Sequence, residues 1–562
     1  MASTELATVT TIDSPAIDPS TAVGLRVDVH DVSQHAGDHQ LLHRVSLSIE
    51  PGELVAVVGG SGAGKTTLLE TMAGLRRPTS GSVTYDGRSA LGPSDIGFVP
   101  QDDIIHRALP LRRTLRYAAR IRLPGDSSPA EVDRVVDDTL RDLELADRRD
   151  VRVGDLSGGQ RKRASIAVEL LTSPRVFFLD EPTSGLDPAT SADVMSVLRH
   201  LADRGVTVVL TTHDPADIEA CDRVVFLAAH GHLAFAGTPD DARRYFEVTN
   251  LAHVYQCLAQ VGTPEHWAAR FAGRAGHASP RQPATNASVG PGPRVGRLRQ
   301  GALLTLRNAD ILVRSRLTLA VLVGSPVLVI SMMAVLFKAG GFERSAPGSL
   351  GPVQTIFWVA FAGFFFGLTY GLLQIVGEFS VFRRERLAGL SVVAYLVSKI
   401  AVLLPLLAAV NVAMLAVLRA LDRLPDASLR TYAGLLATLL VESLCALALG
   451  LLTSAAVADA AQATLALPML CFPQVLFAGA VVPVAEMAAP GRGISLGMAN
   501  RWAFESLGRG LHVGAGRTAA AMPAYSDAFT GSALAGGAVL ASLGLVFAVA
   551  TVAVLASRTR RW

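Results

Sequence analysis

The hydrophobic residues are distributed unevenly along this chain of 562 residues. Residues 1–300 mix short apolar runs with frequent charges, whereas residues 301–562 contain nearly all of the long apolar runs. A run of about 20 apolar residues is enough for a helix to cross a bilayer. The pattern therefore predicts a water-soluble domain followed by a membrane domain.

Short runs in the first half are apolar at every position, as in strands of a parallel sheet that is covered on both faces. One such run, residues 54–58, is followed directly by Gly59, Gly60, Ser61, Gly62, Ala63, Gly64, Lys65, Thr66 and Thr67. This stretch fits the G-x4-G-K-[ST] phosphate loop, whose backbone N–H groups and following helix N-terminus surround phosphates. We expect Lys65 to contact the β- and γ-phosphates of ATP and Thr66 to bind Mg²⁺.

Two further apolar runs end in polar residues that suit phosphate chemistry. Residues 176–179 lead into Asp180 and Glu181. We expect Asp180 to hold Mg²⁺ through water and Glu181 to polarise the attacking water as a general base. Residues 206–210 precede His213. Ligands bind at the carboxyl ends of strands in open α/β sheets, so all three side chains are candidates for one site.

A short polar motif lies between the phosphate loop and the acidic strand: Leu156, Ser157, Gly158, Gly159 and Gln160. A Ser-Gly-Gly stretch alone is typical of a loop or a helix N-cap. In this position the five residues resemble the LSGGQ signature of ATP-binding cassette (ABC) proteins. Gln101 resembles the Q-loop glutamine, Asp187 the D-loop aspartate and His213 the switch histidine of the same family.

The strings GGQRKRASIAVELL and DEPTSGLD, and a cassette placed ahead of the membrane part, resemble the White or G subgroup. The resemblance implies an α/β P-loop nucleotide-binding domain at residues 25–248 and an all-α transmembrane domain of six helices at residues 317–562. Residues 1–24 are interpreted as a disordered tail, residues 249–296 as a linker and residues 297–316 as an interfacial connecting helix. The six apolar spans lie near 317–337, 353–376, 400–420, 432–457, 461–483 and 534–556.

The resemblance also assigns roles to the motif residues. It assigns catalysis to Lys65, Glu181 and His213. It places Gln101 beside Thr66 and Asp180 at the Mg²⁺ ion. In this family ATP lies between two cassettes, so Ser157 and Gly159 would contact ATP held by the partner's phosphate loop. The partner would be a second copy or a related half-transporter.

One motif departs from the family. Most cassettes stack the adenine on an aromatic residue upstream of the phosphate loop, but Ala36 aligns near that position. Residues 1–84 contain no aromatic residue of the Phe, Trp or Tyr type. We therefore expect weaker stacking, or stacking on His35 or His39.

The membrane half carries further signals of how it is arranged. Leu298, Ala302, Leu306, Ala309 and Val313 fall on one face of the connecting helix, which predicts a helix lying at the membrane surface. An even number of spans returns both ends to the cytosol, where the ATP site must be, so we expect a cytoplasmic-membrane protein. The loop at residues 378–389 resembles the G-type coupling segment, which would dock near Gln101.

Two polar residues fall inside the predicted spans. Glu442 lies in the fourth span and Asn411 in the third, and both are expected near mid-membrane. They could lock two helices by hydrogen bonding, or form a polar relay or substrate contact.

Composition narrows the classes of function. The net charge is only +3, so nothing favours a nucleic-acid partner. The four cysteines show neither metal-ligand spacing nor a disulfide framework: Cys221, Cys257, Cys445 and Cys471. What the resemblance to the G subgroup implies is ATP-driven export of a lipophilic substrate by a protein in contact with membrane lipid. The alternative is that ATP drives force or a signal across the membrane without moving a substrate.

Overall fold

The computed structural model describes residues 24–92, 94–260, 262–274, 295–342, 350–513, 525 and 528–560. The chain divides into two compact units, the first ending at Arg294 and the second beginning at Val295. The predicted disordered tail, except for Gly24, lies outside the described residues, as do residues 275–294 of the predicted linker.

Among the described residues, the first unit is built around a sheet of nine strands. They are β1 (Val27–Ala36), β2 (His39–Ile49), β3 (Leu54–Gly59), β4 (Ser80–Tyr85), β5 (Ile96–Val99), β6 (Val176–Leu179), β7 (Thr207–Thr211), β8 (Arg223–Ala228) and β9 (His232–Gly237). Their order across the sheet is β4-β1-β2-β9-β8-β3-β7-β6-β5. The run from β8 to β5 is parallel throughout, whereas β1 pairs antiparallel with β2 and β4.

Strand β3 shows why its sequence is apolar at every position. Leu54, Ala56 and Val58 belong to the hydrophobic cluster on one face of the sheet. Val55 and Val57 belong to the cluster on the other face. Because β3, β6 and β7 are parallel neighbours, their carboxyl ends meet at one edge, and the segments that follow them are brought together there.

The helices of the first unit cover the sheet and form a side bundle. They are α1 (Lys65–Met72), α2 (Leu111–Arg122), α3 (Pro129–Asp142), α4 (Gly158–Leu170), α5 (Pro188–Asp203), α6 (Pro215–Glu219), α7 (Pro239–Phe246), α8 (Ala252–Gln260) and α9 (Pro264–Arg274). Helices α2 and α3 lie between Gln101 and Ser157. Helix α3 starts at a capping box of Ser128 and Glu131, which satisfies two backbone N–H groups.

The interpretation of residues 249–296 as a linker is wrong for its first part, because α8 and α9 occupy residues 252–260 and 264–274. Trp267 of α9 is buried, and its ring centroid lies 5.1 Å from that of Phe246. Phe271 packs edge-on against Tyr245. Packing of these aromatic side chains holds the two short helices on the domain. The helices are too short to show a clear helical periodicity of apolar residues in the sequence.

The described part of the second unit is helical throughout. Its helices are α10 (Arg297–Arg314), α11 (Arg316–Leu336), α12 (Gly351–Leu372), α13 (Phe379–Leu387), α14 (Val392–Ala420), α15 (Leu429–Ala456), α16 (Ala460–Leu476), α17 (Ala489–Leu496), α18 (Ala499–Gly510) and α19 (Ala533–Arg560). The predicted fold class, an α/β domain followed by an all-α domain with several apolar helices, is confirmed.

Five of the described helical segments are long and apolar enough to cross a membrane: Thr318–Leu336, Gly351–Leu387, Val392–Ala420, Leu429–Ala456 and Ala533–Thr559. The predicted span at 461–483 corresponds to α16, which is apolar but has only 17 residues and contains Pro468 and Pro473. The described residues therefore contain five full-length candidates and one short one, and six crossings remain a prediction.

Helix α10 is amphipathic as predicted, and its apolar stripe is exposed. Leu298, Leu306 and Val313 are 93%, 61% and 70% exposed. The buried side carries Gln300, Leu303, Leu304, Arg307 and Asn308. The protein thus binds this helix largely through polar groups and leaves its apolar stripe uncovered within the described residues.

Candidate functional site

The phosphate loop connects β3 to α1 as the sequence predicts. Gly62 and Gly64 have φ angles of +76° and +88°. A Cβ at Gly64 would lie 2.7 Å from the carbonyl oxygen of Leu41, so only glycine fits there. The ammonium group of Lys65 donates to the carbonyl oxygens of Gly59 at 2.9 Å and Gly60 at 3.2 Å. A cation on a flexible side chain therefore lies at the mouth of the loop.

The acidic strand end meets the phosphate loop. The hydroxyl of Thr66 donates to the two carboxylate oxygens of Asp180, at 3.0 and 3.2 Å. The hydroxyl of Thr211, at the end of β7, donates to the same carboxylate at 2.6 Å. Three strand ends thus place one buried carboxylate between two hydroxyl groups.

Glu181 lies one residue beyond Asp180, in a backbone conformation with φ of +44°. Its N–H donates to the hydroxyl of Thr211 at 2.8 Å. The side-chain amide of Gln101 donates to its carboxylate at 3.2 Å. His213 Nδ1 lies 3.7 Å from the same carboxylate, and the His213 side chain is 63% exposed. The structure therefore brings Gln101, Glu181 and His213 together at the carboxyl edge of the sheet.

The signature motif caps α4. The Ser157 hydroxyl accepts from the Gln160 N–H, and the Gln160 side chain accepts from the Ser157 N–H. A Cβ at Gly159 would lie 2.0 Å from Thr190 Cγ2, so glycine lets α4 approach α5. Within the described chain, no hydrogen bond or ion pair joins residues 156–160 to the phosphate loop. In this domain the signature therefore makes no polar contact with the chain's own phosphate loop.

Asp187 caps the N-terminus of α5. Its carboxylate accepts from the N–H of Thr190 at 3.1 Å and from the hydroxyl of Thr190 at 2.6 Å. These two hydrogen bonds lower the pKa of Asp187, so the side chain is a fixed anion.

A buried carboxylate that is not among the predicted site residues links two motifs. Asp217 of α6 accepts from the hydroxyl of Thr183 at 2.6 Å and from the hydroxyl of Thr212 at 2.7 Å. Thr183 belongs to the DEPTSGLD string, and Thr212 precedes His213. Burial raises the pKa of Asp217. No local pattern marks this residue, because its two partners are 34 and 5 positions away.

The candidates for adenine stacking lie at the turn between β1 and β2. His35, Ala36 and His39 are all exposed there. Two other histidines, His43 and His232, stack on each other, with ring centroids 4.1 Å apart and ring planes inclined by 14°. Histidine stacking of a base at this turn remains a prediction.

The second unit contains a buried charged network between α10 and the predicted coupling segment. Arg307 forms a two-bond ion pair with Glu385, one bond of which is 3.0 Å. The Lys399 ammonium lies 2.6 Å from Glu378, which also accepts from the hydroxyl of Tyr395 at 2.6 Å. The connecting helix, the coupling segment and the start of α14 are therefore joined by paired charges.

The two mid-span polar residues belong to one buried cluster. The Asn411 amide donates to the Ser443 hydroxyl and to the Leu407 carbonyl, each at 3.0 Å, and Ser443 donates to the Gly363 carbonyl at 2.9 Å. Three helices are thus joined by hydrogen bonds, which favours the helix-locking interpretation. Glu442 is buried beside them, and its oxygens have no hydrogen-bond partner among the described residues.

Comparisons with known proteins match both units. Residues 42–184 match the family described as ABC transporter, and residues 299–507 match the family described as ABC-2 type transporter. Over 385 residues, or 65% of the chain, the sequence is 38% identical to the ABC transporter ATP-binding/permease protein Rv1747 of Mycobacterium tuberculosis, covering 43% of that protein. It is also 38% identical over 220 residues to ABC transporter G family member 22 of Arabidopsis thaliana, covering 37% of the chain and 29% of that relative. The chain therefore spans less than half the length of these relatives.

Proposed function

Because the chain belongs to the ABC transporters, with the nucleotide domain ahead of the membrane domain as in their G family, we propose that it hydrolyses ATP to move a substrate across a membrane. It is a multi-pass membrane protein, since five described helical segments have the length and composition of membrane spans.

The observation that carries the proposal is the contact between Thr66 and Asp180 at 3.0 Å. A hydroxyl and a carboxylate are hard oxygen ligands of the kind that Mg²⁺ prefers, so this pair fits the ion. Gln101, directed at the neighbouring Glu181, completes the proposed metal site. When bound there, Mg²⁺ would neutralise charge on the phosphates. The loop from Gly59 to Thr67, with Lys65, would hold the phosphates themselves.

The geometry also supports a division of work at the edge of the sheet. Glu181 would accept a proton from the attacking water as general base. Gln101, whose amide donates to this carboxylate at 3.2 Å, would orient Glu181. His213, which lies 3.7 Å from the same carboxylate, would act as the switch histidine near the γ-phosphate. Asp180 accepts hydrogen bonds from two hydroxyl groups and would bind the metal.

The separation of Ser157 and Gly159 from the chain's own phosphate loop supports a site shared between two chains. A twofold pair would place each signature against the phosphate loop of its partner, giving two equal ATP sites. All motifs are intact in this chain, so a second copy suffices as the partner. A related half-transporter would complete the same sites.

The proposed setting is the cytoplasmic membrane, with the nucleotide domain in the cytosol. The uncovered apolar stripe of α10 suits a helix lying in the headgroup region. A lipophilic substrate moving outward is proposed from the resemblance to exporters.

Transport is tested with the protein reconstituted in vesicles. The wild type and Glu181→Gln are compared for ATP hydrolysis and for efflux of fluorescent lipids and lipophilic amines. We expect Glu181→Gln to bind ATP but to lose both activities, while the exposed control Glu144→Gln keeps both. ATP hydrolysis by the wild type with no movement of any probe would favour the force or signal alternative. A wild type that does not hydrolyse ATP would refute the proposal.

A further inference from the structure

Lys162 is a buried lysine that the roles above leave unused. It lies on α4, five residues after the capping Ser157, and only 5% of it is exposed. Its ammonium group donates to the backbone carbonyl of Gln101 at 2.8 Å and to that of Pro100 at 3.2 Å. Desolvation lowers the pKa of Lys162, although the nearby carboxylates of Asp103 and Asp180 oppose this. Burial of an ammonium group is costly, so these contacts determine where the segment around Gln101 lies.

A second cation strengthens the same contact. Arg161 donates from Nε to the carboxylate of Asp103 at 3.2 Å, and from its guanidinium to the carbonyl of Leu156 at 3.1 Å. Two adjacent residues of α4 therefore hold the chain on both sides of Gln101. Arg161 therefore connects Asp103, which follows Gln101 by two residues, with Leu156, the first residue of the signature.

The far end of α4 is fastened as well. Arg122, the last residue of α2, donates two hydrogen bonds of 2.7 Å to Glu169 of α4, and both side chains are buried. A two-bond arginine–carboxylate pair fixes orientation as well as distance. Helix α4, the segment that carries Gln101 and α2 are therefore held together as one block.

Gln101 is the end of this block that reaches the reacting groups. Its side-chain amide lies 3.2 Å from the carboxylate of Glu181. The opposite end is the signature, whose Ser157 would contact ATP bound by the partner chain. A displacement of α4 would move the backbone of Gln101 through Lys162, and with it the amide that faces Glu181.

We propose that Lys162 is a positioning residue that couples the two ATP sites of the paired molecule. It transmits contact between the signature and the partner's ATP to Gln101 in the chain's own site. The inference rests on the proposed pairing of two chains. Coupling of this kind is reciprocal, so ATP at either site favours binding at the other.

The test compares Lys162→Met with the wild type in full-length protein in detergent and in vesicles. Methionine keeps the unbranched side chain up to the ε position and removes the ammonium group with its donors. The matched control is Arg163→Met, because Arg163 is the next residue but pairs with Glu144 and the Leu143 carbonyl. ATP hydrolysis is measured against ATP concentration, and ATP binding is measured in each variant on a Glu181→Gln background.

We expect wild type and Arg163→Met to show a Hill coefficient above one, approaching the limit of two for two sites. For Lys162→Met we expect a coefficient close to one and kcat lowered about tenfold, with the intrinsic affinity of a single site for ATP unchanged. A merely structural role would lower the melting temperature or the amount of active protein without changing the Hill coefficient.

Two outcomes would overturn the inference. One is a wild type that hydrolyses ATP without cooperativity, and the other is a Lys162→Met protein as cooperative as the wild type. Both leave the proposed ATPase function standing, whereas absence of hydrolysis in the wild type refutes that function itself. If Lys162→Met does not fold, Arg161→Gln replaces it, since it removes the contact with Asp103 and leaves Lys162 in place. We expect it to lower the Hill coefficient too, and unchanged cooperativity there would again overturn the inference.

Discussion

At the scale of single residues, the hydroxyl of Thr211 serves both acids of the candidate site. It donates to Asp180 at 2.6 Å and accepts from the N–H of Glu181 at 2.8 Å. A hydroxyl can do both at once because it has one hydrogen and two lone pairs. The same group thus orients the proposed metal ligand and fixes the strained backbone of the proposed general base.

Loss of the Thr211 hydroxyl should slow ATP hydrolysis and leave ATP binding unchanged. In Thr211→Val the carboxylate of Asp180 and the N–H of Glu181 each lose a partner, which costs about 1.5–3 kcal/mol for a bond to a charged group. We expect kcat for ATP to fall about tenfold to a hundredfold, with ATP binding kept. Steady-state ATPase and equilibrium binding check this, and Thr211→Ser is the control that keeps the hydroxyl. A Thr211→Val protein as fast as Thr211→Ser would contradict the role.

A second residue-scale prediction concerns pH and the stacked histidines. Desolvation lowers the pKa of His43 and of His232; Glu265 raises both and His230 lowers both further. The unfolded chain therefore binds more protons than the folded one between the lowered values and about 6.5. The stabilising contribution of this pair should be complete above pH 6.5 and be lost as the pH falls through that window.

The measurement is the melting temperature at pH 7.5, 6.5 and 5.5. We expect the double variant His43→Phe/His232→Phe to lose less stability on acidification than the wild type, because the rings can stack but cannot titrate. The exposed His200→Gln is the control and should follow the wild type. Equal pH dependence in all three proteins would contradict the assignment.

At the scale of elements, helix α10 is attached to the membrane unit by charge pairing. Arg307 and Glu385 are both buried, and their pairing is supported by a hydrogen bond from Asn308 to Ser398 at 3.0 Å. Sequence periodicity identified the amphipathic helix but could not identify which face packs on the protein. Periodicity shows only that apolar and polar residues lie on opposite faces of the helix. Which face packs on the protein depends on partners about 80–90 positions away in the sequence.

Removal of one member of this pair should be far more costly than removal of a partly exposed arginine on the same helix. We expect Arg307→Ala to lower the free energy of unfolding by about 3–5 kcal/mol, because Glu385 is left as an uncompensated buried charge. The control is Arg314→Ala on the same helix, whose partner Asp310 lies 2.9 Å away and whose own side chain is 31% exposed; we expect a clearly smaller loss than for Arg307→Ala, because water can still reach the guanidinium. Denaturant unfolding in detergent checks both. The exchanged pair Arg307→Glu/Glu385→Arg should regain part of the loss.

At the scale of the whole molecule, one chain carries one phosphate loop and one signature, and no polar contact joins them among the described residues. If each signature acts on the partner's ATP, two defective chains can complement each other. A mixed pair of Lys65→Met and Ser157→Arg contains one site with both lesions and one intact site. Two identical defective chains contain none.

Co-expression of the two variants with different tags tests this arrangement. We expect each variant alone to be inactive and the mixture to regain up to about a quarter of wild-type ATPase, since half of randomly formed pairs carry one intact site out of two. Mixed pairs that are isolated through both tags and remain inactive would show that the signature does not act across the pair.

Local sequence determined the elements whose cause is local. The phosphate loop, the acids after β6, the capping signature and the long apolar helices each follow from residues adjacent in the chain, because backbone shape, helix capping and membrane length depend on short windows. Only the tertiary structure decided the contacts between residues that are far apart in the sequence. It showed that Lys162 holds the backbone of Gln101, that Asp217 joins Thr183 to Thr212, and that α8 and α9 pack where a linker is predicted. Such contacts arise when distant segments share one core, and no short window of sequence contains both partners.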